Sequence, residues 1–461
     1  MKKRILKTIL ALTVATGLLA GCGSSTSETA KETATESTAD TAKTEATEDT
    51  ATADSAATEE SSTEPITLKV FSNLPDRNNG QGLVEQMIID EYMAENPNVT
   101  IEVEALDEEA YKTKFKAYSM SEMPDVVSIW GQPAFLDEVL DAGVLAELNE
   151  ADYADYKFVE GSLEGFKKDG KLYGLPRNTD VAVFYYNQKI FDDNGWTIPE
   201  TYDDLLTLAE EMNAKGIIPC AMDGGDGWPL VVYMSDLINK INGSTNTLFA
   251  EALKNGDFSD PAYKQATELM VQSVEAGLFQ EGYDTQEYGT AMNLFTNGQA
   301  AMFYMGSWET SMATNEDIPE DVRNNIRVFT MPVVEGGKGT ATDIAAWTGG
   351  GYAVSIDSQQ KEEAIKFLNY MYQPDKLSKY GWENGVGMSA QDQSAYMTGE
   401  ETVLQKQIVD IVNNSTSLAG TPVNDCGSSF FKTTIEGQIQ NVTNGFISVE
   451  DFLSTLEETC K

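Results

Sequence analysis

The chain has 461 residues and no histidine. That removes Ser-His-Asp and Cys-His catalysis, histidine metal sites and any histidine pH switch. Cysteine is scarce: Cys22, Cys220, Cys426 and Cys460. None has CxxC spacing, which argues against zinc. Cys220 lies in an apolar, strand-like run and is expected to be buried. Pairing of Cys426 with Cys460 is open to an extracellular chain and is not decided by sequence. Basic residues are also few, 31 Lys and Arg against 74 Asp and Glu, for a net charge of −43. So acidic a chain is not expected to bind nucleic acid, and its charge favours solubility. No G-x-x-x-x-G-K-[ST] phosphate loop occurs, so any ATPase it works with is a separate chain. No internal repeat is visible, and no cofactor is implied.

What is present begins with a leader. Lys2, Lys3, Arg4 and Lys7 make a positive start, and Ile9 to Leu19 is mostly apolar. This run is shorter than the roughly 20 residues of a membrane-spanning helix, and it reads as a secretory signal. Leu19-Ala20-Gly21-Cys22 closes it with small residues and a cysteine. That tetrapeptide resembles the lipobox of bacterial lipoproteins, in which the cysteine is lipidated and becomes the mature N-terminus. Residues 1–22 are thus expected to be a lipoprotein signal peptide, and Cys22 a membrane anchor. Residues 23–64 are built of Ser, Thr, Ala, Glu and Asp, with no aromatic residue, Leu or Ile. Such a segment cannot bury enough apolar surface to offset its ordering entropy, so it is expected to be a disordered acidic tether.

About 400 residues remain. Single hydrophobic cores stop growing near roughly 250–300 residues, so two lobes are expected. The stretch KLYGLPRNTDVAVFYYN, Lys171 to Asn187, carries that reading. Asp169-Gly170 signals a turn before it, and Pro176 pushes Leu175 towards an extended shape. Val181–Tyr186 is apolar, β-branched and aromatic throughout, which suits a strand buried on both faces. Arg177, Asn178, Thr179 and Asp180 lie between the two strands. They read as a polar crossing from one globular body into another; an ordinary surface loop is the competing reading.

Before the crossing, strand patterns at 66–71, 99–105 and 124–130 alternate with helical ones at 83–95, 107–120 and 134–142. This rhythm predicts a parallel, open α/β sheet. After it, Thr201 is expected to cap a helix reaching about Ala214, with Asp203 and Asp204 in its first turn. Strands are expected at 217–222, 300–305, 328–334 and 352–356. Helices are expected at 187–194, 231–241, 247–255, 261–276, 290–297 and 360–372, and through most of the last 60 residues.

The six tryptophans are the most informative side chains. Trp130 ends a strand, Trp228 closes Asp223-Gly224-Gly225-Asp226-Gly227-Trp228, and Trp308 follows the strand AAMFYMG. Trp347 precedes Thr348-Gly349-Gly350-Gly351, and Trp382 follows Lys379-Tyr380-Gly381. Ligands of open α/β sheets bind at strand ends. A tryptophan offers a flat apolar face and one N–H donor. The C–H face of a pyranose stacks on such a surface, while carboxylates and amides bond the hydroxyls at its rim. Trp196, in a loop ahead of a helix, reads instead as a packing residue. The Gly349–Gly351 run lacks the order of a dinucleotide fingerprint, and it suits close backbone approach or a hinge.

The lipobox, DGKLYGLP (169–176), VFYYNQKIFDDNGWTIPETYDDLL (183–206), FTNGQAAMFYMGSW (295–308) and GGGYAVSIDSQQKEEAIKFLNYM (349–371), in this order, resemble the family 1 extracellular solute-binding proteins. These are the receptors of carbohydrate ABC importers. The resemblance spans nearly all of the mature chain and implies a two-lobed, type II periplasmic-binding-protein-like α/β fold. The implied cleft lies between lobes of 65–179 with 351–398 and of 180–350 with 399–461. Crossings fall near Asn178–Val181, near Gly349–Tyr352 and near Thr398. The resemblance implies that Trp308, Trp347 and Trp228 stack on sugar, and that Trp130 and Asn73 face them from the first lobe. Asp180 and Arg177 would bond hydroxyls, and Trp382 completes the candidate set. Tyr202 stands where the family commonly has tryptophan.

The expected function is a non-enzymatic, extracytoplasmic receptor that closes on a carbohydrate, an oligosaccharide for preference. It would deliver its cargo to the permease subunits of an ABC importer. Three readings compete. A secreted glycoside hydrolase needs two carboxylates across one bond, and 74 acidic residues make candidates uninformative. A same-fold receptor for a polyamine or metal is opposed by the missing histidine and the aromatic loops. An adhesin would not close on a small ligand.

Overall fold

The computed structural model describes residues 64–461 of the chain. The leader, Cys22 and the rest of the expected tether lie outside the described residues. Strand β1 (Ile66–Ser72) is followed by α1 (Gly80–Glu95), β2 (Val99–Ala105), α2 (Glu108–Ser119), β3 (Val126–Trp130) and α3 (Pro133–Asp141). Asn96-Pro97 ends α1, since proline cannot continue a helix. A hairpin of β4 (Lys167–Lys168) and β5 (Lys171–Leu172) turns at Asp169 and Gly170, both at positive φ. Strand β6 (Leu175–Pro176) then leads to the crossing.

Beyond it lie β7 (Thr179–Asn187), α4 (Gln188–Asn194), α5 (Tyr202–Ala214), β8 (Ile218–Ala221) and α6 (Trp228–Asn242). Next come α7 (Asn246–Asn255), α8 (Pro261–Glu275), α9 (Tyr288–Thr296), β9 (Ala300–Gly306), α10 (Glu320–Arg323), β10 (Ile326–Phe329), β11 (Asp343–Ile344) and β12 (Ala346–Thr348). The chain returns through β13 (Gly350–Val354), α11 (Lys361–Met371) and α12 (Leu377–Glu383). It ends with α13 (Val403–Asn414), β14 (Ser417–Leu418), α14 (Val423–Cys426), α15 (Ser429–Thr443) and α16 (Val449–Thr459).

Two five-stranded sheets organise these elements. The first has the order β2-β1-β3-β13-β6, and the second β10-β7-β9-β8 with β12 also on β7. The first is mixed, not parallel as the βα rhythm predicts. β1, β2 and β3 are parallel, but β13 runs antiparallel to both β3 and β6. β13 arrives directly from the second lobe, so no crossover helix returns it to the starting end of the sheet. β7 accounts for its own continuous apolar run. Ala182 and Phe184 enter one core, while Val181, Val183 and Tyr185 enter the core on the opposite face. A strand covered on both sides has no solvent face to keep polar.

Local chemistry sets most helix ends. Thr201 and Asp204 form a reciprocal capping box on α5, and Asn187 caps α4. Helix α6 starts three residues earlier than periodicity suggests, because Gly227 turns at φ 77° and Pro229 occupies the first turn. β10 stops at Phe329, ahead of Pro332. A 3₁₀ segment, Ser307–Ala313, has no counterpart in the sequence reading. Cys220 is fully buried, and Cys220, Cys426 and Cys460 are free thiols.

Three extended segments meet between the sheets. Arg177–Thr179 lies beside Gly349-Gly350, with Arg177 N–H donating to Gly350 O at 2.7 Å and Gly349 N–H to Asn178 O at 2.9 Å. On its other side lies Met388–Ala390. There Thr179 N–H donates to Met388 O at 2.9 Å and Ala390 N–H to Arg177 O at 3.2 Å. The glycines serve close approach. A Cβ on Gly349 would collide with the Asp180 carboxylate and lie 2.6 Å from Asn178 Nδ2. The chain passes to the second lobe for the last time between Tyr396, whose hydroxyl donates to Pro374 O at 2.7 Å, and α13, which packs on β10.

Candidate ligand cleft

The second lobe presents one aromatic wall. Trp228 opens α6, Tyr288 opens α9, Trp308 is second in the 3₁₀ segment after β9, and Trp347 lies in β12. Trp228, Tyr288 and Trp308 sit at element ends, where side chains escape the period of the core, and Trp347 is the middle residue of its short strand. Trp228 stacks with Tyr288 at 6.3 Å between centroids and 26° between planes. Trp308 follows at 6.0 Å from Trp228, and Trp347 at 6.2 Å from Trp308. The Trp308 indole N–H donates to Tyr288 Oη at 2.8 Å, and the Tyr288 hydroxyl donates to Glu309. Trp228, Tyr288 and Trp308 are half-buried, and Trp347 is buried behind Trp308. Burial and then the Glu309 charge raise the Tyr288 hydroxyl well above its usual value, so it stays a neutral donor.

The first lobe contributes Trp130, at the end of β3. It packs edge-on to Phe135 and Tyr111, with the Lys112 ammonium 5.5 Å from its ring. Asn73 follows β1, half-buried, its backbone N–H on Ser128 Oγ at 3.3 Å. The loop beneath it is fixed by the buried Glu85, which accepts from Ser72 Oγ at 2.7 Å and from Arg77. The two lobes touch at both rims. Helix α3 packs on α14 and α15, with Ser429 bonded to Glu138. On the other rim, a Cβ on Gly80 would lie 3.0 Å from Ser311 Oγ.

Polar groups gather at the crossing. Asp180 pairs with Trp347 across β7 and β12, and Asn178 Nδ2 donates to it. Burial raises the Asp180 carboxyl to about 7, against the lowering effects of Asn178 and Arg177. Arg177 lies over the Tyr352 ring at 5.4 Å and donates to its hydroxyl at 3.3 Å. Arg177 Nε and Asn178 Oδ1 are buried without a protein partner. Donor and acceptor capacity is therefore held in reserve beside the aromatic wall.

The sequence reading did not single out Tyr288, Glu309, Asp223 or Asp226. Asp223 follows β8, is fully buried, and has Oδ2 unpartnered; its Oδ1 accepts from Asp226 N–H at 3.1 Å. The signal was the acid-glycine-glycine-acid-glycine run ahead of Trp228. Two more tryptophans stand elsewhere: Trp196, which reads from sequence as a packing residue, and Trp382, the one of the two that belongs to the expected set. Trp196 packs edge-on to Phe191 with its N–H on Glu211, a packing role. Trp382 is buried in α12, its N–H on Glu401 at 3.3 Å, outside the ring contacts that join the wall. Two cavities of about 380 and 500 Å³ lie on the second lobe, and no candidate residue lines them. Among the described residues no group of acids and cysteines is arranged to hold a metal ion.

Known proteins share this architecture. A protein solved in work on xylan utilization by Caldanaerobius polysaccharolyticus aligns with a TM-score of 0.77 at 26% identity, covering 85% of this chain and 99% of that one. A chitin oligosaccharide binding protein aligns at 0.75 and 24%, covering 86% and 98%. In sequence, the multiple sugar-binding protein of Streptococcus mutans is 26% identical over 340 residues, 72% of this chain and 76% of its own. The family model for bacterial extracellular solute-binding proteins matches residues 78–376. That span takes in the crossing, β13 and every residue of the aromatic wall, and the chain belongs to the bacterial extracellular solute-binding protein family.

Proposed function

We propose that the chain is a carbohydrate receptor that binds an oligosaccharide between its lobes and delivers it to the permease of an ABC importer, without enzymatic activity. The observation that carries this reading is the continuous aromatic wall of Tyr288, Trp228, Trp308 and Trp347 on the second lobe. The names of the similar proteins, a multiple sugar-binding protein and a chitin oligosaccharide binding protein, point the same way. Sugar faces stack on the rings, while Asp180, Arg177 and Asn73 bond hydroxyls. Contacts made from both lobes favour the closed arrangement, because a ligand shifts a two-state equilibrium only by its differential affinity. Trp382, with its indole N–H on Glu401 and its backbone O accepting from Gln405, completes the proposed set beside the third crossing.

A thermal-shift panel of mono- and oligosaccharides tests this on residues 65–461. A sugar at 100 times Kd should add about 2.7 kcal/mol of stability. Trp228→Ala should abolish the shift with little change in the unliganded melting temperature. A shift with polyamines or metals and none with any sugar would overturn the cargo. Cleavage of a bound oligosaccharide would overturn the non-enzymatic part.

The proposal includes lipid anchoring at Cys22, with residues 23–64 as a spacer from the membrane. Among the described residues no helix is long and apolar enough to cross a membrane. Labelling cells with a radioactive fatty acid should mark the wild-type chain and not Cys22→Ala. Equal labelling of both would remove the anchor from this residue.

A further inference from the structure

The cleft holds more carboxylates than its cations balance, and they face one another across the gap. On the second lobe are Asp180, the buried Asp223 with its unpartnered Oδ2, and Asp226 beside it. On the first lobe, Glu108 and Glu109 open α2. Glu108 lies within electrostatic reach of both Asp180 and Asp223, Glu109 within reach of Asp226, and Asp76 within reach of Glu309. The lysines nearby are already committed. Lys112 is shared by Glu108 at 2.6 Å and Glu109 at 2.8 Å. Lys432 is shared by Asp425 at 2.6 Å and Glu436 at 2.8 Å.

Asp223 and Asp226 lie side by side and share one proton, so the pair keeps one negative charge and still asks for a donor from the ligand. A hydroxyl or an ammonium supplies one. A ligand carboxylate supplies none and adds a like charge where several are already gathered. Burial and then the neighbouring Asp226 charge hold the Asp223 carboxyl well above its usual range, a sign of how strongly this place resists further negative charge. Discrimination of this kind comes from what a site repels as much as from what it attracts.

We propose that Asp223, facing Glu108 across the cleft, selects neutral and amino sugars and excludes sugars that carry a carboxylate. This rests on the carbohydrate reading above.

The test is calorimetric titration of the purified full chain with neutral trisaccharides of glucose, galactose, xylose and N-acetylglucosamine. Each is run beside a uronate-bearing counterpart, at low salt and in 0.5 M sodium chloride, a strength at which exposed charges are largely screened, as at about 1 M. A neutral trisaccharide should bind, with its uronate counterpart weaker by about tenfold or more. Asp223→Asn should narrow that gap, whereas high salt, which screens buried charges much less than exposed ones, should change it little. Glu108→Gln, on the opposite lobe and partly exposed, should narrow it too, and serves if Asp223→Asn fails to fold. A uronate that binds as well as its neutral counterpart overturns the selectivity and leaves the receptor reading standing. A gap unchanged in both variants overturns the role of Asp223 and Glu108. No binding by any trisaccharide removes the receptor reading, and this inference with it.

Discussion

At the scale of single residues, the crossing concentrates the unusual chemistry. Asp180 is held between Asn178 and the Gly349 backbone in a place that admits no side chain at 349. Its carboxyl rises to about 7 through burial, whereas an unfolded aspartate titrates near about 3.9. Between about pH 4 and 7 the folded chain therefore holds a proton that the unfolded chain releases. This contribution to stability is complete below about pH 4 and is lost as the pH rises through 7. Asp180→Asn should therefore flatten the fall in melting temperature between pH 5 and pH 8. A variant that keeps the parent profile would show that Asp180 does not titrate in this window. Tyr288 illustrates what single residues conceal in sequence. Tryptophan is rare here, with six residues, so its positions could be weighed one by one; tyrosine occurs 19 times and gave no such signal. Only the start of α9 brings Tyr288 onto Trp228. Asp223 was hidden for the same reason among 74 acids. What marks it is an oxygen left without a partner, which sequence does not display.

At the scale of elements, what is decided locally was readable and what is decided by distant partners was not. Helix α5 is the clear local case. Thr201 Oγ1 accepts from Asp204 N–H at 3.1 Å, and Asp204 Oδ2 accepts from Thr201 N–H at 3.0 Å. Thr201→Ala removes half of this exchange and should cost about 1 kcal/mol, read as a lower urea midpoint at unchanged slope. A midpoint equal to the parent's would mean that the rest of α5, including the buried Tyr202 and Leu205, fixes the helix end unaided. Strand β13 is the opposite case. GGYAV has two glycines and a modest apolar run, yet all five residues are buried between β3 and β6. Its place comes from pairing with Val126–Trp130, more than 200 residues earlier in the chain, and no local pattern encodes that. The reversed direction of β13 was missed for the same reason. The 3₁₀ segment that carries Trp308 is likewise set by packing against α1 and α13 of the folded molecule.

At the scale of the whole molecule, the two lobes are joined by three short extended segments and meet at two rims. One rim offers a direct handle. A Cβ at Gly80 would stand 3.9 Å from Ser311 Cβ, within the usual disulfide range of about 3.5–4.5 Å. The double variant Gly80→Cys/Ser311→Cys should therefore lock the lobes together when oxidised. A positive φ at position 80 adds strain of roughly 1–2 kcal/mol. Sugar should bind the reduced form and be refused by the oxidised, empty one, with binding restored by dithiothreitol. Equal binding by both forms would show that ligand enters without rim opening. The same topology bears on how the protein is made. β13 sits inside the first sheet, between β3 and β6, but is the last of those strands to leave the ribosome. Until residue 354 has emerged, β3 keeps a bare edge, and the first lobe is an unfinished body. Completion of the first sheet therefore waits on residue 354, a delay set by the order of its strands.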